Sequence, residues 1–104
     1  MKKSLKKSLG DIKDKLVLQL YVSGMSLKSM EAIENLKRLC DKYLENAFEL
    51  EIIDIYKNPE AAAEHHIIFS PSLIKRFPLP RKILVGTLSD TEKVIKALGI
   101  PLKN

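Results

Sequence analysis

Apolar and polar positions change period along the chain, and each change marks an expected element. Lys15 to Val22 reads KLVLQLYV, a short run rich in Leu, Val and Tyr with only Gln19 polar inside it. Continuous apolar character over so few residues predicts a strand covered on both faces. Ser23-Gly24 punctuates the run, and Ser26 is a suitable N-cap for a helix beginning at Leu27. From Leu27 to about Asn46, the residues Leu27, Met30, Ile33, Leu36, Leu39, Cys40, Tyr43 and Leu44 recur every three or four positions. That spacing predicts an amphipathic helix whose other face carries Glu31, Glu34, Asn35, Lys37, Arg38, Asp41 and Glu45. Phe48 to Tyr56 then alternates Phe48, Leu50, Ile52 (and Ile53) and Ile55 with Glu49, Glu51 and Asp54, the pattern of a strand with one wet face. Strand, long helix and strand make a βαβ unit, whose two strands should be parallel with a right-handed crossover.

The second half is less regular. Asn58-Pro59 closes the βαβ unit, because the residue before proline avoids helical geometry. Glu60 to His66 contains strong helix formers, whereas Ile67 to Phe77 reads equally well as strand or helix around Pro71. Pro78-Leu79-Pro80 predicts an extended turn, and Ile83 to Val85 a short strand ended by Gly86. A last helix starts from a Ser89 cap, with Asp90 and Glu92 in its first turn, and stops at Gly99-Ile100-Pro101.

Charge changes the picture more than composition does. Residues 1 to 15 carry +4, residues 16 to 26 no charge, residues 27 to 64 carry −4, and the rest +5. This base, acid, base pattern favours self-association or a charged protein partner as readily as a polyanion. The basic arm, residues 1–14, places Leu5, Leu9 and Ile12 at spacings of four and three, interrupted by Gly10. A solvated arm, a helix packed on a second subunit, and contact with anionic lipid or nucleic acid all fit it. Residues 15–104 form one domain, and no run approaches the roughly 20 apolar residues of a membrane span. A cytoplasmic protein that needs neither membrane nor nucleic acid is expected.

The chemical inventory is thin. Cys40 is the only cysteine, which excludes an internal disulfide and a Cys-x-x-Cys pair, and its place on the apolar stripe predicts a buried hydrophobe. His65 and His66 are adjacent, so on a helix they diverge by about 100° and do not clamp one metal. A βαβ start followed by a proline-preceded strand is the thioredoxin-like layout. Redox proteins of that layout hold Cys-x-x-Cys between the first strand and first helix. Here the segment reads Ser23-Gly24-Met25-Ser26-Leu27, so the expectation is a binding module with no enzymatic activity.

Five motifs in register carry a family resemblance: Leu18 to Gly24 (LQLYVSG), Ile53-Asp54-Ile55 with Lys57-Asn58-Pro59, Ser70-Pro71-Ser72-Leu73, Pro78-Leu79-Pro80, and Gly86 to Asp90 (GTLSD). Together they resemble the KaiB family of circadian-clock proteins, from about Lys15 to Leu98, leaving the arm outside. The resemblance implies an α/β, thioredoxin-like fold with a mixed sheet flanked by helices and a metamorphic second half. It also implies a homo-oligomeric resting form, dimer or tetramer, and a rarer monomer that docks on a hexameric KaiC-type ATPase ring, in a setting that includes a sensor histidine kinase. No cofactor is implied. Partner-binding residues carried over on the first helix and second strand are Glu31, Glu34, Lys37, Glu49 and Glu51. Residues implied in the switch are Asn58, Pro59, Pro71, Pro78, Pro80, Gly86 and Ala97, with slow X-Pro isomerisation as one component.

Two departures stand out. The family carries basic side chains where this chain has Glu31, Glu34 and Glu51, which implies either a ring of altered charge or a divergent homologue, used in stress adaptation, that self-associates without binding a ring. Ala97 stands where clock relatives often have glycine. Ala favours helix over Gly by about 0.8–1.0 kcal/mol, which biases the chain toward the thioredoxin-like form.

Overall fold

A computed structural model of the chain describes residues 15–44, 47–67 and 70–100; the arm, residues 1–14, lies outside them. Its first strand, β1 (Leu16–Val22), runs through the middle of a four-stranded sheet of order β2-β1-β3-β4. β2 (Phe48–Asp54) pairs with it in parallel, Leu16 opposite Phe48 and Val22 opposite Asp54. β3 (Ser72–Phe77) pairs antiparallel on the other side, Leu20 opposite Leu73, and β4 (Lys82–Val85) continues antiparallel, Leu73 opposite Leu84. The sheet is therefore mixed, and the expected βαβ unit occupies one half of it.

Between β1 and β2 lies α1 (Leu27–Leu39), extended by a π-helical turn over Cys40–Leu44. Ser26 caps its start as expected: the Ser29 amide donates to Ser26 Oγ at 3.2 Å. The buried stripe is Ser29, Ala32, Leu36 and Leu39, continued by Cys40 and Leu44. Leu27 and Met30, which match the apolar period, are exposed instead, Leu27 at 83%. Small residues replace them where the first turns of the helix meet the sheet.

The helix α2 (Pro59–Glu64) is a short bridge, and α3 (Thr91–Leu98) closes the fold. The cap of α3 corrects the expectation of Ser89: Asp90 Oδ1 accepts the Lys93 amide at 3.2 Å. Both residue types cap well, and the carboxylate also opposes the positive helix end. Gly99 (φ +71°) ends α3 in the left-handed conformation that glycine adopts without a Cβ penalty, and the Ile100 amide reaches Ile95 O at 3.1 Å. The stretch that read as strand or helix resolves as β3 from Ser72 onward. β2 ends at Asp54, short of Tyr56, and the peptide bonds preceding Pro71, Pro78 and Pro80 are cis.

Two clusters share the core. Leu16, Leu18, Leu20 and Val22 of β1 point toward α1 and α3, against Leu36, Leu39, Leu73, Val94 and Leu98. Each such side chain contributes about 1.5–3 kcal/mol on full burial. On the opposite sheet face the buried apolar residues among those described are Tyr21, Ile53 and Ile74, packed by Ile55, Ala61 and Ile67. β1 is thus covered on both faces only toward its C-terminal end: Val17 and Gln19 are half-buried. The β2 alternation is mixed for the same reason, since Ile53 is buried on the Glu side whereas Ile52 on the helix side is 39% exposed.

Tyr21 lies wholly inside this second cluster, and its hydroxyl is buried with no hydrogen-bond partner. Burial pushes the phenol above its ordinary pKa, with Arg76 partly opposing the shift. An unsatisfied buried hydroxyl costs about 1–3 kcal/mol. Tyr21→Phe is therefore expected to raise the urea midpoint, by roughly 1 kcal/mol of stability; a lower midpoint would show that the hydroxyl does have a partner.

Candidate protein-docking site

Among the described residues β2 is an outer strand, with no neighbour in the sheet on one side of its backbone. Such an edge is a ready template for a further strand. Beside it the π-helical turn leaves a groove of about 420 Å³ lined by Lys37, Cys40, Asp41, Phe48, Leu50 and Ile52. The floor is apolar and the rim carries one cation and one carboxylate. Extra-residue turns of this kind bend a helix surface and recur at functional sites.

The five carried-over partner residues border this edge but do not form one patch. Glu31, Glu34 and Lys37 are exposed on α1, and Lys37 reaches the groove. Glu49 and Glu51 project from the other face of β2, because side chains alternate along a strand. There Glu51 Oε1 accepts from Gln19 Nε2 at 3.0 Å, Gln19 Oε1 accepts from an Arg76 guanidinium N–H at 2.8 Å, and Glu49 lies 3.9 Å from Lys15 Nζ. The strand edge itself separates the helix charges from the strand charges.

The residues that the resemblance implied in a switch lie along the chain after β2. Asn58 precedes α2 and donates through Nδ2 to Asp54 O at 3.3 Å, and Pro59 takes the first helical position. Pro71 stands before β3, and its carbonyl accepts the Gly86 amide at 2.9 Å. Pro78 and Pro80 lie in the β3–β4 connection, and Ala97 is half-buried on α3.

The turn from β1 into α1 holds a hydroxyl network that none of the sequence motifs announced. Ser26 Oγ donates to Ser29 Oγ at 2.9 Å, the Ser23 amide donates to Ser29 Oγ at 3.0 Å, and Ser23 Oγ donates to Ser70 Oγ at 2.7 Å. Ser26 and Ser29 stand at the helix start with the spacing of a Cys-x-x-Cys pair. Four serine side chains therefore join β1, α1 and the segment before β3 at the place where a dithiol would act. The available signal was Ser-x-x-Ser, which extends two residues past the Ser23–Leu27 segment. Asp54 closes the turn: Oδ1 accepts the Gly24 amide at 3.1 Å and the Tyr56 amide at 2.9 Å. Gly24 has φ +59°, and a Cβ there would meet the Tyr56 ring at 3.4 Å.

Cys40 is buried, and burial pushes its thiol up to about 11. His65 tilts against the Tyr21 ring at 6.2 Å between centroids, whereas His66 is exposed. Among the described residues there is no group of three or more His, Cys, Asp or Glu that fits a metal ion, and no helix is long and apolar enough to cross a membrane.

The KaiB domain model matches residues 19–100. Circadian clock protein KaiB3 of Synechocystis sp. is 40% identical over 87 residues, covering 84% of this chain and 85% of that protein. Circadian clock oscillator protein KaiB of Synechococcus elongatus is 38% identical over 84 residues, covering 81% of this chain and 82% of the relative. Among solved structures, the N-terminal domain of Synechococcus elongatus SasA superposes with a TM-score of 0.68 at 22% identity, over 83% of this chain and 85% of that one. Chloroplastic thioredoxin z superposes with a TM-score of 0.70 at 13% identity, over 94% and 87%. These two likenesses establish the thioredoxin-like fold. With the family domain spanning the chain from Gln19 to Ile100 and relatives at such identity over most of their length, the chain belongs to the KaiB family.

Proposed function

We propose that this chain is a KaiB-like regulator of circadian rhythm control that acts in the cytoplasm by binding, without catalysis. Its partner is a KaiC-type ATPase ring, whose phosphorylation and ATPase state it modulates. Family membership and the names of the relatives support this reading, and one observation carries it to a surface: the open edge of β2 runs beside the groove of Lys37, Cys40, Asp41, Phe48, Leu50 and Ile52. A partner segment laid along that edge gains main-chain hydrogen bonds from β2 and an apolar seat from Ile52. Glu31 and Glu34 then call for basic residues on the ring, since like charges slow encounter and lower affinity.

Ile52→Asp tests this most directly, because Ile52 is exposed enough to change with little effect on the core. Binding to a KaiC-type ATPase, measured by pull-down at low and high salt, should weaken by at least about tenfold, or 1.4 kcal/mol. Affinity unchanged by Ile52→Asp would move the interface elsewhere. If the wild-type chain fails to bind while light scattering shows a dimer or tetramer, the divergent homologue with another partner is the correct reading. The reversed charge at Glu31, Glu34 and Glu51 is what favours that second reading.

Two packings of the half after Asn58 complete the proposal: the thioredoxin-like one described above and an oligomeric resting form. Ala97 lies within α3, where Ala outranks Gly by about 0.8–1.0 kcal/mol. Ala97→Gly should lower the thioredoxin-like fraction about fivefold, read from paired peak sets in two-dimensional NMR. An unchanged ratio removes Ala97 from the switch.

Action by binding alone also makes a claim about Cys40. Its folded pKa of about 11 exceeds the ordinary 9.0, so the native state holds the proton more tightly. Stability is then full below pH 9 and falls as pH rises from 9 towards 11. The native chain should resist a thiol reagent at about pH 8 and react once unfolded, and Cys40→Ala should flatten the alkaline decline. Rapid native labelling would contradict the burial.

A further inference from the structure

The sheet has a second open edge. Among the described residues β4 is the outer strand beyond β3, and no strand pairs with its far side. Its side chains are bare, with Ile83 49% and Val85 59% exposed. Ile83 lies opposite Ile74 and Val85 opposite Ser72, so both stand on the sheet face away from α1. Leu84, opposite Leu73, stands on the other face. Beside β4, at the start of α3, is a groove of about 520 Å³ whose walls include Leu84, Leu88, Asp90, Lys93 and Val94. Charge leaves the same edge unbalanced. Lys82 lies directly opposite Lys75, which is 5% exposed, and among the described residues neither lysine is ion-paired. Like charges so placed repel. The only acidic residues after Glu64 are Asp90 and Glu92, and they stand past the far end of β4, where the chain turns into α3.

We propose that two copies of this chain pair antiparallel along β4 about a twofold axis, Leu84 opposite Leu84 and Ile83 opposite Val85, with Lys82 of each copy turned to Asp90 and Glu92 of the other. Side chains alternate along a strand, so such an axis matches faces only where paired residues differ by an even number. A register centred on Leu84 meets that condition and joins Ile83 and Val85 of both copies into one apolar strip. A register centred on Ile83 sets Lys82 against Leu84 instead. The twofold also turns the start of one β4 toward the end of the other. Lys82 then meets Gly86, the point at which the other copy leaves β4 for its groove and its two acids. Lys93 offsets one of those acids and leaves the start of α3 net acidic.

A second copy suits this edge better than the other edge of the sheet does. Laying β4 along β2 of a neighbour sets Ile83 and Val85 against Glu49 and Glu51, which share their face, so apolar side chains meet carboxylates. The twofold pairing sets apolar against apolar and base against acid, and it closes at two copies. Four residues a side make a small seam, so the dimer is a transient, concentration-dependent one. β4 and β2 are opposite edges of one sheet, and the pairing does not rest on the ring contact proposed above.

Sedimentation velocity and two-dimensional NMR of the full chain, from about 1 μM to 1 mM, test this. Monomer should give way to dimer as concentration rises, and the amide signals of Ile83, Leu84 and Val85 should move while those of Ala32 and Leu36 stay in place. Val85→Lys, at an exposed position, should weaken the dimer at least tenfold. Lys82→Glu and Glu92→Lys should each weaken it severalfold, and mixing the two variants should restore it, because the mixed dimer has two matched contacts. A folding defect would not be rescued by mixing. A chain that stays monomeric at about 1 mM, or a dimer indifferent to all three substitutions, overturns the proposal. So does association that shifts signals throughout residues 59–100, which marks a different packing of the second half, or association lost on Glu51→Lys, which marks a contact of β4 with β2.

Discussion

Everything in this fold depends on covering β1. As the central strand it pairs parallel with β2 and antiparallel with β3, so its backbone is satisfied on both sides and both of its faces must lose water. One face is solved by the βαβ unit: α1 comes directly after β1, and α3 returns to finish the layer over Leu16, Leu18 and Leu20. The other face has only a short α2 and the segments around it, which cover Tyr21 and leave Val17 and Gln19 half open. The second half of the chain therefore carries fewer apolar contacts than the first. The proposed pair of packings would need its strongest contacts in the part that stays fixed, and this distribution is compatible with that requirement.

The elements whose environment has one polarity were legible from the sequence alone. β1 and β2 read correctly as strands, and the parallel pairing came from the helix between them. The boundaries that shifted did so for local reasons. Leu27 and Met30 fit the helical period, yet the inward places of the first turns belong to the small side chains of Ser29 and Ala32, which a pattern of large apolar residues passes over. β3 resisted assignment because Ser72, Leu73, Ile74 and Lys75 are all buried, which erases alternation. Lys75 is only 5% exposed, so a charged residue that reads as a wet position is an inside one. Asp90 in place of Ser89 is a shift of one residue between two good caps. The residues carried over as partner contacts do not gather into one surface, since the βαβ unit sends Glu49 and Glu51 to the face away from Glu31 and Glu34.

The β1–α1 turn explains how a thioredoxin-like frame persists without thioredoxin chemistry. A dithiol at a helix start is held in place by the same backbone that now holds Ser26 and Ser29, and hydroxyls at that spacing bond to each other and to the Ser23 amide. Serine has no low-lying oxidation state to exploit, so the geometry is kept and the reactivity is gone. What remains is structural: the network reaches Ser70, and Asp54 ties Gly24 and Tyr56 to the end of β2. The turn thus links the βαβ half of the chain to the segment that leads into β3.

That linkage bears on how recognition and rearrangement are coupled. The Pro71 carbonyl accepts the Gly86 amide, so the segment bonded to the β1 turn through Ser70 is also bonded to the end of β4. The Thr87 carbonyl in turn accepts from Asn35 Nδ2 at 2.9 Å, on the helix that carries Glu31 and Glu34. On the proposed reading, a partner seated beside β2 and α1 meets a surface whose far supports are Ser70 and Thr87, contacts that a second packing of β3, β4 and α3 would have to keep or replace. Under that proposal, partner binding and the choice of fold would be linked through Asn35 and Ser23, and a ligand that prefers this arrangement of α1 would shift the population toward it by the ratio of its affinities for the two forms.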